Sequence, residues 1–367
     1  MRKSMALMMV LMILSTYCFA EEQPSNYDIA HEVIISLFAA VAGTNMETET
    51  TLREDMTEEE KQQRTEENAV YRETVLPWLA ESLVRAEETE EAEKAIKDEE
   101  EAVDPEAAAK EELWRERLDA AFEAMSGNDE GKAYLDMLSA LGAKNEEECL
   151  KLTQRFFQVW LSEIEPDRLS VMNEDFEFWL YGPGSPIDYP VVQAEDNKYY
   201  LHRLFNGEYN SAGTLFIDYR NLPNMQDPNT LVYGHHMRDD SMFGSLDWYE
   251  EQTYFESHPY MLAVEEDEIY IIELFSGYTT SKNDECYDIA ISDEEDMAAF
   301  VETAMKKSDF VCCPEIFADD RLITLSTCAY AFENARYIVI GRLMSAQRLE
   351  KCDERGSLEM TFAKEQR

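Results

Sequence analysis

Cys328 ends the apolar run Leu322-Ile-Thr-Leu-Ser-Thr, which reads as a strand with a thiol at its tip. A thiol is a nucleophile once ionised, and a cation beside it favours the thiolate. Arg336 stands eight residues on and opens the next apolar run, Tyr337-Ile-Val-Ile-Gly-Arg-Leu. If the two runs pair as a hairpin, their facing ends bring guanidinium and sulfur together, and the same guanidinium can stabilise an oxyanion. His235 follows Thr230-Leu-Val-Tyr-Gly, which sets an imidazole where a third strand ends. Neutral imidazole near a thiol can act as a base, and imidazolium can protonate a leaving amine. Each residue also has a plainer reading. A cysteine on an apolar strand is commonly just buried, and Arg336 fits an exposed surface charge equally well. His235 and His236 could join Cys328 as metal ligands, although no other Cys/His cluster has ligand spacing. The tandem Cys312-Cys313, followed by Pro314, reads as structural or incidentally redox-active.

These residues need a scaffold, and the chain after Pro166 has the pattern for one. Runs rich in Val, Ile, Tyr and Phe recur at Ile187 to Val192, Thr214 to Tyr219, Thr230 to Tyr233, Glu268 to Tyr278, Leu322 to Leu325 and Tyr337 to Leu343, with turn residues between them. That spacing predicts a mostly antiparallel barrel or sandwich. One helix interrupts it. Ser292 and Glu295 form a capping box, and Met297, Phe300, Val301, Ala304 and Met305 follow at helical spacing.

The first half of the chain differs in kind. Met1-Arg2-Lys3 precedes an uncharged apolar stretch from Ser4 to Ala20, the composition of an export signal, cleaved or retained as an anchor. The run Ile29 to Gly43, interrupted by His31 and Glu32, is too short for a comfortable span and predicts an amphipathic or core helix. From about Glu47 to Glu148, Glu, Ala and Lys dominate, which favours long helices. Between Glu81 and Ala120 there are 16 acidic and 6 basic residues, a local charge of −10, so an exposed helix or flexible spacer is expected over Glu87 to Ala109. Leu150, Phe156, Phe157, Trp160 and Leu161 are expected to line one side of a packed helix. Over the 367 residues, 32 basic against 78 acidic side chains leave a net charge of −46, which argues against nucleic acid as a partner. Seven cysteines are too few for a disulfide framework at this length.

Several stretches, taken in order, carry a resemblance. They are Asp188-Tyr-Pro-Val-Val-Gln, Asp196-Asn-Lys-Tyr-Tyr-Leu, Gly213-Thr-Leu-Phe-Ile-Asp-Tyr-Arg-Asn, Tyr233-Gly-His-His-Met, Ser241-Met-Phe-Gly-Ser-Leu, Phe255-Glu-Ser-His-Pro, and Thr324-Leu-Ser-Thr-Cys-Ala-Tyr-Ala-Phe with Ala335-Arg. Together they resemble the catalytic domain of a class B sortase over roughly residues 173 to 345. Phe178 stands where glycine is commoner in that family. The resemblance implies a mainly β catalytic domain: an eight-stranded sortase-like β-barrel with added helices, one of them between the sixth and seventh strands, preceded here by an acidic α-helical region. It implies a cysteine transpeptidase of Gram-positive cell surfaces, with no cofactor and no metal.

By position, His235, Cys328 and Arg336 match the family's catalytic residues, and Asn197, Leu201, Tyr233, Ser326 and Thr327 match positions lining the groove for the sorting peptide. The implied partners are a surface-protein sorting signal and an amine acceptor on a peptidoglycan precursor or pilin. The expected layout is a signal peptide or anchor over 1–20, an acidic helical spacer over 21–172, the catalytic domain over 173–345 and a tail over 346–367. The N-terminus is expected to associate with the membrane, placing the enzyme on its extracellular face, or secreted or associated with the cell wall. A secreted cysteine peptidase that only hydrolyses and a non-catalytic surface scaffold are the alternative readings.

Overall fold

Helix formation in the first half follows the apolar spacing. The computed structural model describes residues 26–42, 115, 118–123, 125–127, 129–265, 268–281, 284–312, 314, 316–327 and 335–345. The expected signal over 1–20, most of the acidic stretch from Glu81 to Ala120, Cys313, Cys328, Cys352 and the tail over 346–367 lie outside the described residues. Contacts divide the chain into two units, Met1–Glu165 and Pro166–Arg367. In the first unit, α1 (Asn26–Ala42) packs on α2 (Asp129–Ala140) and α3 (Glu146–Ile164). Ala30, Val33, Ile34, Leu37 and Phe38 of α1 are buried, as expected of a core helix. No helix among the described residues is long and apolar enough to cross a membrane.

The buried side of α3 is Leu150, Thr153, Phe157, Trp160 and Ile164, while Phe156 and Leu161 only flank it. The expected stripe was rotated because Thr153, a polar residue, faces inward. Its hydroxyl meets the Tyr134 hydroxyl at 2.5 Å and donates to the Cys149 carbonyl at 2.9 Å, so the burial is satisfied. The Asn145 side chain caps the first turn through the Glu148 N–H.

The second unit opens with α4 (Pro166–Met172) and then builds strands β1 (Phe176–Tyr181), β2 (Asp188–Val192), β3 (Leu215–Ile217), β4 (Asn229–Gly234), β5 (Tyr260–Val264), β6 (Ile269–Ser281), β7 (Arg321–Thr327) and β8 (Ala335–Ser345). Two helices are inserted: α5 (Gln252–Ser257) before β5, and α6 (Glu294–Lys307) between β6 and β7. The strands close into a barrel in the order β1-β2-β3-β4-β7-β8-β6-β5. All pairings are antiparallel except β2 with β3 and β4 with β7. The eight-stranded barrel, and a helix between its sixth and seventh strands, are as the resemblance implied.

Closure gives each strand an inner and an outer face. Val232, Ile323, Leu325, Tyr337 and Val339 enter the main barrel core. The alternate residues Leu322, Ile338 and Ile340 are covered from outside by Met297, Val301 and Ala304 of α6. That helix starts one residue later than the capping box predicts. Asp293 is the cap, accepting from the Asp296 N–H at 3.0 Å, while Ser292 stays outside and donates its own N–H to Asp296. An aspartate caps as well as a serine and also suits the positive end of the helix dipole, so the acidic residue takes the place. At Phe178 the β1–β2 register shifts between Phe176 and Phe178, and the Phe178 ring is fully buried in the barrel core. The large side chain is accommodated by a bulge.

Candidate active site

One rim of the barrel is set by three strands side by side. In the parallel β4–β7 pair, Tyr233 is partnered by Ser326 and Gly234 by Thr327. In the antiparallel β7–β8 pair, Leu325 is partnered by Val339 and Ser326 by Ile338. Gly234 is required here. A Cβ at that position would lie 2.5 Å from Leu215 Cδ2 and 2.6 Å from Phe243 Cδ2, inside the packed interior. His235 follows immediately, and Arg336 stands on β8, across β7, at the same rim.

The two adjacent histidines are held by different groups. His235 Nε2 lies 2.7 Å from the Leu201 carbonyl oxygen. A carbonyl only accepts, so the proton is on Nε2, and in the neutral ring Nδ1 carries the lone pair. His202 stacks on the His235 ring at 5.5 Å and 17°. His236 Nε2 instead meets Asp247 Oδ2 at 2.7 Å. The pair therefore does not act as one unit.

A second wall is formed by the 3₁₀ turn Glu285–Tyr287. The Tyr287 hydroxyl is 2.8 Å from Ser326 Oγ, and its ring stacks on Tyr233 at 6.3 Å and 20°. Burial pushes the Tyr287 phenol up, and the nearby Arg336 guanidinium pulls it partly back. Arg336 Nη1 donates to the Ala335 carbonyl at 2.9 Å. The turn is pinned by Asn229. Its amide donates to the Cys286 and Asp288 carbonyls at 3.1 and 2.9 Å, while its oxygen accepts from Thr324 at 2.9 Å. A buried amide satisfied on both sides fixes the residue lying between those carbonyls.

Asn197 and Tyr233 converge on one carboxylate. Asp218 accepts from Asn197 Nδ2 at 3.0 Å, from the Tyr233 hydroxyl at 2.9 Å, and from Arg220 in a two-pronged pair at 2.9 and 3.0 Å. Burial pushes Asp218 up, but the bonds from Arg220, Asn197 and Tyr233 outweigh it and hold the carboxyl below its ordinary range. Leu201 supplies the carbonyl for His235, and it and Tyr233 both pack against the cluster of Val192, Tyr200 and Phe216. The structure thus brings His235, Leu201, Tyr233, Asn197, Ser326 and Arg336 to one rim. Ser326 and Thr327 are both 1% exposed, and by alternation Thr327 belongs to the inner face with Leu325 and Ser326 to the outer one. Asp218, Tyr287, His202 and Asn229 were not singled out from the sequence. Asp218 sat in a quoted motif, but nothing in sequence spacing reveals that three side chains meet on it.

The closed barrel and this rim belong to a known class of catalytic domain. A family model described as the sortase domain matches residues 181–344. The chain is 32% identical to sortase B of Listeria monocytogenes over 48% of its own length and 73% of that protein. It is 29% identical to sortase B of Staphylococcus aureus over 55% of its length and 86% of that protein. Among solved structures, Clostridium perfringens sortase B is 34% identical, with a TM-score of 0.46 over 48% of this chain and 98% of that one. The chain belongs to the class B sortases, which are cysteine transpeptidases.

Proposed function

We propose that Cys328, His235 and Arg336 carry out a two-step acyl transfer. The Cys328 thiol gives its proton to His235 Nδ1, the thiolate attacks the carbonyl carbon of a Thr in a sorting peptide, and Arg336 donates hydrogen bonds to the resulting oxyanion. The C–N bond breaks, the amine leaves with a proton from His235 Nδ1, and a thioester remains on Cys328. An incoming amine then attacks the thioester carbon and gives its proton to His235. The C–S bond breaks, restoring the thiolate and forming a new amide.

The observation that carries this reading is strand register. β4 and β7 run parallel and end together at the Gly234–Thr327 pair, and His235 and Cys328 are the next residues in sequence. β8 pairs antiparallel with β7 as far as Ser326–Ile338 and begins at Ala335, so Arg336 stands at the rim where β7 ends. Alternation assigns His235 and Arg336 to the outer face, with Tyr233, Ser326 and Ile338. Asn197, Leu201, Tyr233 and Ser326 then flank the bound peptide, and Thr327 serves the site by closing the barrel beneath the nucleophile. The acceptor is an amine of a peptidoglycan precursor or a pilin. The apolar segment before Ala20 supports work on the extracellular face of the membrane or in the wall.

The test is mass spectrometry of the full chain with a library of peptides carrying Thr-Gly or Thr-Asn bonds, with and without triglycine. A thioacyl adduct on Cys328 and diversion of product to the triglycine amide are expected. Cys328→Ala is expected to lower turnover by about 10³-fold or more. Undiminished turnover in that variant would refute the reading, and product that stays hydrolytic at high amine would replace transfer with a peptidase.

A further inference from the structure

The catalytic histidine has no carboxylate orienter among the hydrogen bonds described. Its ring N–H goes to a backbone carbonyl, that of Leu201. In a mobile turn such a carbonyl would be a poor orienter, since it must point at the ring each time a proton moves. This turn is held on both sides by a single residue. Thr214 donates its backbone N–H to the Tyr200 carbonyl at 3.1 Å and its hydroxyl to the Arg203 carbonyl at 2.8 Å. The His202 carbonyl is taken by the Asn210 N–H at 3.0 Å. Of the four consecutive carbonyls from Tyr200 to Arg203, three are thus engaged by the 210–214 segment, and Leu201 faces His235.

Thr214 is 6% exposed. Its neighbour Gly213 has φ +65°, and a Cβ there would lie 2.5 Å from the Tyr200 oxygen and 2.6 Å from the Leu201 oxygen. The 213–214 segment therefore presses directly against the carbonyl that the imidazole uses.

We propose that Thr214 is a positioning residue for the transfer reaction, acting through the Leu201 carbonyl to hold His235 in the Nε2–H tautomer with Nδ1 free for the substrate amine. The inference rests on His235 being the acid-base group, and it adds a requirement that the family assignment does not contain. Thr214→Val keeps the shape and the backbone N–H but removes the hydroxyl bond to Arg203. Thr214→Ser keeps the bond.

The experiment is steady-state transfer of a Thr-Gly peptide to triglycine by the full chain, paired with nitrogen-15 NMR of the neutral His235 ring. For Thr214→Val, kcat is expected to fall about five- to tenfold at little-changed KM, the size of one lost hydrogen bond. The ring nitrogens of that variant should report a mixture of tautomers. Thr214→Ser should recover most of kcat and the single tautomer. An unchanged kcat, or a fall with the tautomer still purely Nε2–H, would overturn the proposal.

Should Thr214→Val not fold, Gly213→Ala tests the same contact with the hydroxyl retained. Full kcat and a single tautomer there would overturn it equally. His235→Ala is the control for the underlying reading: if it still transfers, the acid-base assignment fails, whereas an inactive His235→Ala with a normal Thr214→Val sinks this inference alone.

Discussion

Two arginines on β8, Arg336 and Arg342, share the outer face of one strand and meet opposite fates. Arg342 is 8% exposed. It pairs with Glu273 at 2.8 Å and Asp320 at 3.3 Å, and its guanidinium lies 5.9 Å from the Phe317 ring centre. Glu273 is its direct cross-strand partner on β6. Arg336 faces Thr280 on that same strand, and no carboxylate among the described residues forms an ion pair with it. A buried guanidinium must be neutralised where it stands. One that serves a reaction must keep donors for an oxygen that arrives with the substrate. The difference separates the end of the barrel that holds the fold from the end at which we place the chemistry.

The largest effect that sharpens this contrast is expected from Arg336. Arg336→Ala should lower kcat/KM by about 10²- to 10³-fold through loss of oxyanion stabilisation, with unfolding free energy nearly unchanged. Arg336→Lys should recover little, because a point charge does not reproduce the planar fork. Arg342→Ala should behave in reverse. Removing one partner of a buried pair costs about 3–5 kcal/mol in urea unfolding, while each folded molecule keeps its activity. If the two alanine variants lost stability equally, the contrast between the two ends would be wrong.

An intermediate effect is expected at Asp218, which gathers the groove residues yet contacts no reacting atom. Asp218→Asn weakens the pair with Arg220 and leaves the Tyr233 hydroxyl and the Asn197 amide competing for a poorer acceptor. At about 1–3 kcal/mol for a disturbed buried polar group, KM for the peptide should rise roughly fivefold or more with a smaller change in kcat. An unchanged KM would remove Asn197 and Tyr233 from the groove.

Much of the proposed catalytic end was legible because it lies at strand ends. Apolar runs that stop at Gly234 and Thr327, or begin at Ala335, announce where a polar residue leaves the sheet. β5 was not seen as a strand, since Tyr260 to Val264 are all buried and show no alternation. The start of α6 was misread by one residue because Ser292 and Asp293 are both good caps, and only the hydrogen bond decides between them. The supports of the site were illegible for a different reason. Asn229 reaches Cys286 and Asp288 across 57 and 59 residues of chain, and Thr214 reaches Arg203 across a loop with no regular period to read.

The smallest expected effect concerns the turn that carries Tyr287. Asp284 caps it through the Cys286 N–H and also accepts from Thr280 and Lys307, the latter at 2.7 Å. Burial pushes this carboxyl up, but the bonds from Lys307, Thr280 and the Cys286 N–H outweigh burial and bring it down to about 2. A carboxyl depressed by folding adds stability that is fully present above its unfolded value and is lost as the pH falls through the folded one. Unfolding measured from pH 5 down to pH 2 should therefore show a loss confined to the acid end, with Asp284→Asn flattening that part of the curve. Lys307→Met should move the loss to higher pH. The amplitude should be well below that of Arg342→Ala, because Lys307 stands partly in solvent, where ion pairs are screened. Peptide turnover should fall over the same acid range more steeply than stability does, since the cap sets the place of the Tyr287 ring against Tyr233 and Ser326. A turnover curve that merely tracked the folded fraction would reduce Asp284 to a contributor to stability, leaving Asn229 as the group that holds the wall.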